Sequence, residues 1–193
     1  MKRLVLAIVA SAIAAACSSS TPAGPGPIAA GSVSGAEQKP DGVPKNWVAH
    51  LTGDDEVPGN ASKGQGQAKF QLSPDGQTMS YRLISSNIHN VVQSHIHVAP
   101  VGVNGSISVF LFGAVPAAGG RQDGVLAEGE FTTANLINQG ATGVSTLAQL
   151  VAAMDAGRTY VNVHTNDGVA PGNTGPGDLG AGEIRGQIET AGH

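Results

Sequence analysis

Gln93-Ser94-His95-Ile96-His97-Val98-Ala99-Pro100 sets two histidines two residues apart, with apolar residues between and after them. Successive side chains of a β-strand point to opposite faces, so His95 and His97 share one face while Ile96 and Val98 occupy the other. One face can bury and the other can hold chemistry. The same alternation appears upstream, in Gln67-Ala68-Lys69-Phe70-Gln71-Leu72 and Met79-Ser80-Tyr81-Arg82-Leu83. Between them, Ser73-Pro74-Asp75-Gly76-Gln77 is a turn signal: proline presets one backbone angle and glycine permits the left-handed one, so the pair reads as a hairpin.

Further strands are expected at Trp47-Val48-Ala49-His50-Leu51, Gly124-Val125-Leu126-Ala127-Glu128-Gly129-Glu130-Phe131, Tyr160-Val161-Asn162-Val163-His164-Thr165 and Glu183-Ile184-Arg185-Gly186-Gln187-Ile188. Ile107-Ser108-Val109-Phe110-Leu111-Phe112 is nearly continuous in apolar character, which predicts burial on both faces or contact with a partner. One helix interrupts the series, with Ser145 and Thr146 as caps, Leu147, Leu150, Val151 and Met154 at helical spacing, and Gly157 as its stop. Residues 166–182 form a long loop of Gly, Asp, Asn and Pro. Only 4% of the 193 residues are aromatic and 12% charged, against 28 glycines and 11 prolines, which favours turns over amphipathic helices. The expected fold class is all-β, an antiparallel β-sandwich with one short helix before the penultimate strand.

The first residues read as a targeting segment. Lys2 and Arg3 precede an apolar run over residues 4–16 that is too short to span a bilayer, and Ala14-Ala15-Ala16 resembles a cleavage site. Cys17, the only cysteine, ends that run, as in a bacterial lipoprotein signal whose cysteine becomes the lipidated first mature residue. The competing reading is a secreted protein with a free thiol. The expected organisation is a signal peptide at 1–16, a lipidated Cys17 and flexible tether over 17–45, a domain at 46–189 and a tail at 190–193. The anchor makes a lipid membrane of the bacterial cell envelope the first partner. The net charge of −4 becomes more negative without Lys2 and Arg3, which excludes nucleic acid as a partner.

In the Tyr160 strand Val161 and Val163 face the core, leaving Tyr160, Asn162 and His164 outside; the same test turns Ile184 and Ile188 inward and Glu183, Arg185 and Gln187 outward. Rings two apart on a strand stand roughly 6–7 Å apart and can tilt toward one ion at about 2 Å. His164, from another strand, completes a facial set with His95 and His97. Imidazole suits copper and zinc, copper(II) first, with a fourth position open to water or a small substrate. Protons should compete for the ring nitrogens below about pH 6.5. The same spacing also fits an ordinary strand whose rings bond neighbouring loops. His50, His89 and His193 read as structural or solvated, with His89 first in line as an extra ligand. Arg185 either steers anions or pairs with a carboxylate such as Glu183 at the surface. Asp54-Asp55-Glu56 lacks the extended spacing of a calcium loop and reads as a solvated turn; Asp167 and Asp178 read similarly.

Several stretches together resemble the CHRD domain, named after chordin: Leu51-Thr52-Gly53-Asp54-Asp55-Glu56-Val57-Pro58, Phe70-Gln71-Leu72-Ser73-Pro74-Asp75-Gly76, Asn87-Ile88-His89-Asn90-Val91, His95-Ile96-His97, Asn104-Gly105, the Tyr160 strand, and Gly182-Glu183-Ile184-Arg185-Gly186-Gln187-Ile188. They run in order from Trp47 to Ile188. The family is similar in outline to copper/zinc superoxide dismutases, which implies a Greek-key sandwich with a His-x-His pair on one strand. The chain departs from dismutases in having no disulfide, no histidine shared between two metals and no clear zinc ligand set. The leading expectation is therefore a membrane-anchored, non-enzymatic module with a copper or zinc site. The competing expectations are a dismutase-like copper redox enzyme and a metal-independent adhesion or assembly module that self-associates or binds a protein partner.

Overall fold

The computed structural model describes residues 45–192. The expected signal peptide, Cys17, all but the last residue of the tether, and His193 lie outside the described residues. Nine strands follow in order: β1 Asn46–Thr52, β2 Gln65–Leu72, β3 Met79–His89, β4 Val91–Val98, β5 Ser106–Gly113, β6 Arg121–Phe131, β7 Thr159–Thr165, β8 Ile184–Gln187 and β9 Glu189–Thr190. All strand pairs are antiparallel, in the order β5-β4-β7-β8-β1-β2-β3-β6. The fold is all-β, as the alternation and turn signals predict.

One hydrogen-bonded path joins the two halves of the sandwich. The link between β8 and β1 is slender, the single register pair Thr52↔Arg185. The end strands β5 and β6 approach each other, and the Tyr81 hydroxyl of β3 donates to the Leu111 carbonyl of β5 at 2.8 Å, so the sheet nearly closes. The predicted β2–β3 hairpin forms, with Leu72 opposite Met79. β9 pairs with β1 through Trp47↔Thr190 and Val48↔Glu189, so pairing runs into the first residue of the expected tail.

The core lies between the halves. Trp47, Leu51, Phe70, Met79 and Leu83 on one side meet Ile96, Val161, Val163 and Ile184 on the other, all buried. Each large side chain removed from water stabilises the fold by about 1.5–3 kcal/mol before ordering costs. The predicted helix, α2, spans Leu147–Asp155; a four-residue α1 (Gln139–Thr142) and a 3₁₀ turn precede it. Thr146 caps α2 by accepting from the Gln149 amide, and Leu147, Leu150, Val151 and Met154 cover one end of the core. Asp155 at its C-terminus accepts from Trp47 Nε1 and Lys45 Nζ, fastening the helix to β1.

Two expectations about exposure are overturned. Glu183 and Arg185 stand on the outer face as the alternation requires, yet both are buried, because loops pack over that face. The β5 strand buries Ser108, Val109 and Leu111 but leaves Phe110 43% exposed, so the first of its two expected readings, burial on both faces, does not hold along the whole strand.

Candidate metal centre

The register of β4 against β7 builds the site. His95 lies opposite Asn162, His97 opposite Tyr160 and Gln93 opposite His164, so two adjacent strands bring His95, His97, Asn162 and His164 together on one face. Ile96, Val161 and Val163 point the other way into the core and hold that register. The ligand atoms of His95, His97 and His164 all lie within 4.8 Å of one another. All three predicted metal-ligating residues are thus assembled. His89 and His50 lie at exposed positions and belong to no such cluster among the described residues.

Alternation predicts a polar outer face; in the fold that face is covered. His95 is fully buried, and His97 and His164 nearly so. Turn residues 99–105 and loop residues 166–182 roll over the rings and bond to them. His97 Nδ1 is 2.9 Å from the Gly105 carbonyl, and His164 Nδ1 is 2.9 Å from the Gly180 carbonyl. A carbonyl only accepts, so both Nδ1 atoms carry the proton and both Nε2 atoms present a lone pair. A Cβ at Gly105 would run into the Val98 carbonyl, so only glycine brings that backbone close enough to serve His97.

His95 Nδ1 lies 3.2 Å from His164 Nε2. Two nitrogens bound to one tetrahedral ion at 2.0–2.1 Å stand about 3.3 Å apart, so this spacing suits a shared ion. His97 Nε2, the lone-pair nitrogen once Nδ1 faces the Gly105 carbonyl, is buried without a hydrogen-bond partner, as an unliganded donor atom would be. The donor chemistry, three imidazoles, fits copper or zinc.

Burial sets the electrostatics. Desolvation, reinforced by His164 and His97, pushes His95 down to about 3, and desolvation also lowers His97 and His164 below the ordinary imidazole value. All three rings are neutral at pH 7. Proton competition therefore begins below the pH 6.5 expected for free imidazole.

Around the rings stands a scaffold that sequence reading missed. Tyr160 stacks on His97, and the Arg185 guanidinium sits 3.4 Å over the Tyr160 ring. Arg185 donates to Asn104 Oδ1 and the Val103 carbonyl, and so holds the turn that carries Gly105. It is neither a surface anion guide nor in an ion pair within the described residues. Phe110 meets the His95 ring edge to face at 4.3 Å. Glu183 accepts from Ser62 Oγ, Thr165 Oγ1 and the Gly177 amide at 2.6–2.7 Å, which ties the loop over His164 to the sheet.

The acidic turn also departs from expectation. Asp54 and Asp55 are exposed, but Glu56 is buried, with its Oε1 unpartnered and packed against Gly182. Desolvation outweighs the pull of Arg185 and pushes its carboxyl up to about 7. Asp178 is likewise buried, accepting from the Thr174 amide and hydroxyl within its own loop.

These features define a class of protein, an antiparallel β-sandwich with histidines gathered under loops on the outside of one half. The family model of the CHRD domain matches residues 47–174, and the chain belongs to the CHRD domain family. That span takes in His95, His97, Asn162 and His164 and stops before Glu183 and Arg185. No curated protein and no solved structure matches the chain.

Proposed function

We propose that this chain is an exported CHRD module that holds one copper or zinc ion on His95, His97 and His164, without catalysing a reaction of its own. The observation that carries the reading is the convergence of three neutral imidazoles, whose ligand atoms lie within 4.8 Å of one another and one of which, His97, presents a buried and unpartnered Nε2. Gly105 and Gly180 orient two of the rings through their carbonyls, and a metal ligand whose second nitrogen is held in this way is fixed in tautomer and direction. Phe110 and the covering loops keep bulk water from the rings. An ion bound there would cross-link β4 to β7 and favour the folded state over the unfolded one.

Export and anchoring rest on the leader-like residues 1–16 and on Cys17. In this reading the lipid on Cys17 joins the module to a membrane of the bacterial cell envelope, and residues 18–45 serve as tether.

Titration of the full chain with copper(II) and zinc, repeated with His95, His97 and His164 all changed to alanine, tests the site. Saturation near one equivalent is expected for the parent chain and its loss in the variant; equal affinity in both would contradict the reading. For the anchor, Cys17→Ser expressed in a bacterium should move the protein from the membrane to the soluble fraction, and an unchanged distribution would overturn it.

A further inference from the structure

Asn162 occupies the middle of the site. It lies on the same face of β7 as Tyr160 and His164, directly across from His95, and is 97% buried. Its Oδ1 is 3.0 Å from His164 Nε2. Because the Nδ1 proton of His164 faces the Gly180 carbonyl, that Nε2 carries a lone pair, and so does the amide oxygen. Two acceptors therefore face each other at a buried position. The same Nε2 has His95 Nδ1 at 3.2 Å.

Resting on the metal-site reading above, we infer that the Asn162 side-chain oxygen is the fourth protein ligand and closes the coordination of the ion. Ligands on one tetrahedral ion with bonds of 2.0–2.2 Å are separated by about 3.3 Å, close to both spacings around His164 Nε2. A cation between the lone pairs turns their repulsion into attraction. Three imidazoles and one amide oxygen favour a divalent ion, zinc or copper(II), over copper(I), which prefers sulfur donors. With four protein ligands the ion keeps no open position for a substrate or an activated water, which is the arrangement of a holding site and not of a catalytic one.

The alternative is an amide turned the other way, with its NH₂ group donating to His164 Nε2. Asn162→Asp and Asn162→Leu separate the two. Zinc and copper(II) titrations of the full chain, with X-ray absorption at the metal edge and near-UV circular dichroism to verify folding, supply the readouts. Asn162→Leu should lose at least about tenfold in zinc affinity and one oxygen from the coordination shell. Asn162→Asp, which keeps an oxygen ligand and removes the NH₂ donor, should bind as tightly as the parent or more so. Folded Asn162→Leu protein with parental affinity and spectrum overturns the inference, as does a loss of affinity in Asn162→Asp. If His95→Ala loses the metal while Asn162→Leu keeps it, the histidine site stands and only the fourth ligand falls. If the parent chain takes up no metal, both fall together.

Discussion

The rings of His97 and Tyr160 stack with centroids 4.7 Å apart and planes 6° from parallel, across the β4–β7 register. The Tyr160 hydroxyl accepts from the Gly105 amide, whose own carbonyl faces His97 Nδ1. Tyr160 therefore supports His97 twice, through its ring and through the turn. Tyr160→Phe keeps the ring and gives up one hydrogen bond, a cost of about 1 kcal/mol in stability with little change in metal affinity. Tyr160→Leu removes the stacking surface as well and should weaken zinc binding by roughly 10- to 100-fold. Thermal unfolding and zinc titration of the two variants check this ordering.

Buried neutral imidazoles make the domain sensitive to acid. The folded-state value of His95 is lowered from 6.5 to about 3, so between those values the unfolded chain binds the proton that the folded chain refuses. Its contribution to stability is complete above about pH 6.5 and is lost as pH falls from there toward 3, by up to about 1.4 kcal/mol per pH unit for one group. Urea midpoints should fall between about pH 7.5 and about pH 4.5 in the parent and fall less steeply in His95→Leu.

Glu56 works in the opposite sense. Its folded-state value is raised from 4.5 to about 7, so its contribution is fully present below about 4.5 and is lost as pH rises through 7, where a buried carboxylate must ionise. Glu56→Gln should be more stable than the parent at about pH 8.5, by at most about 3 kcal/mol, and should show no such gain at about pH 4. Chemical denaturation at the two pH values measures the difference.

Glu183 has three hydrogen-bond donors around its carboxylate and anchors the loop that presents Gly180 to His164. Glu183→Ala leaves buried hydroxyl and amide groups unpaired and should cost roughly 3 kcal/mol or more. Amide hydrogen exchange over residues 166–182 should accelerate in the same variant, and metal affinity should fall with the loss of order around His164.

Much of this architecture is legible in residue patterns. The alternation from Gln67 to Leu83 around Pro74 and Gly76 reads directly as the β2–β3 hairpin, and Thr146 and Gly157 bracket the α2 region as capping physics requires. Period-two reasoning also places His95, His97 and His164 on one side of the sheet, opposite Ile96 and Val163. It cannot tell what covers that side. Alternation turns Glu183 and Arg185 outward and goes no further, because it distinguishes the two faces of a strand but carries no information about a distant loop folding over the outer one. Asn162 stands beside His164 in the outward-facing set that alternation defines. Its place opposite His95 depends on the β4–β7 register, which links residues 67 positions apart in the chain.

The central claim is that His95, His97 and His164 hold a metal ion. Metal analysis of the full chain, purified without an affinity tag and without added metal, tests it most directly. The account predicts close to one equivalent of copper or zinc in the parent protein and almost none in the folded variant with all three histidines changed to alanine. A parent protein with no bound metal, or a triple variant that retains as much as the parent, would contradict it.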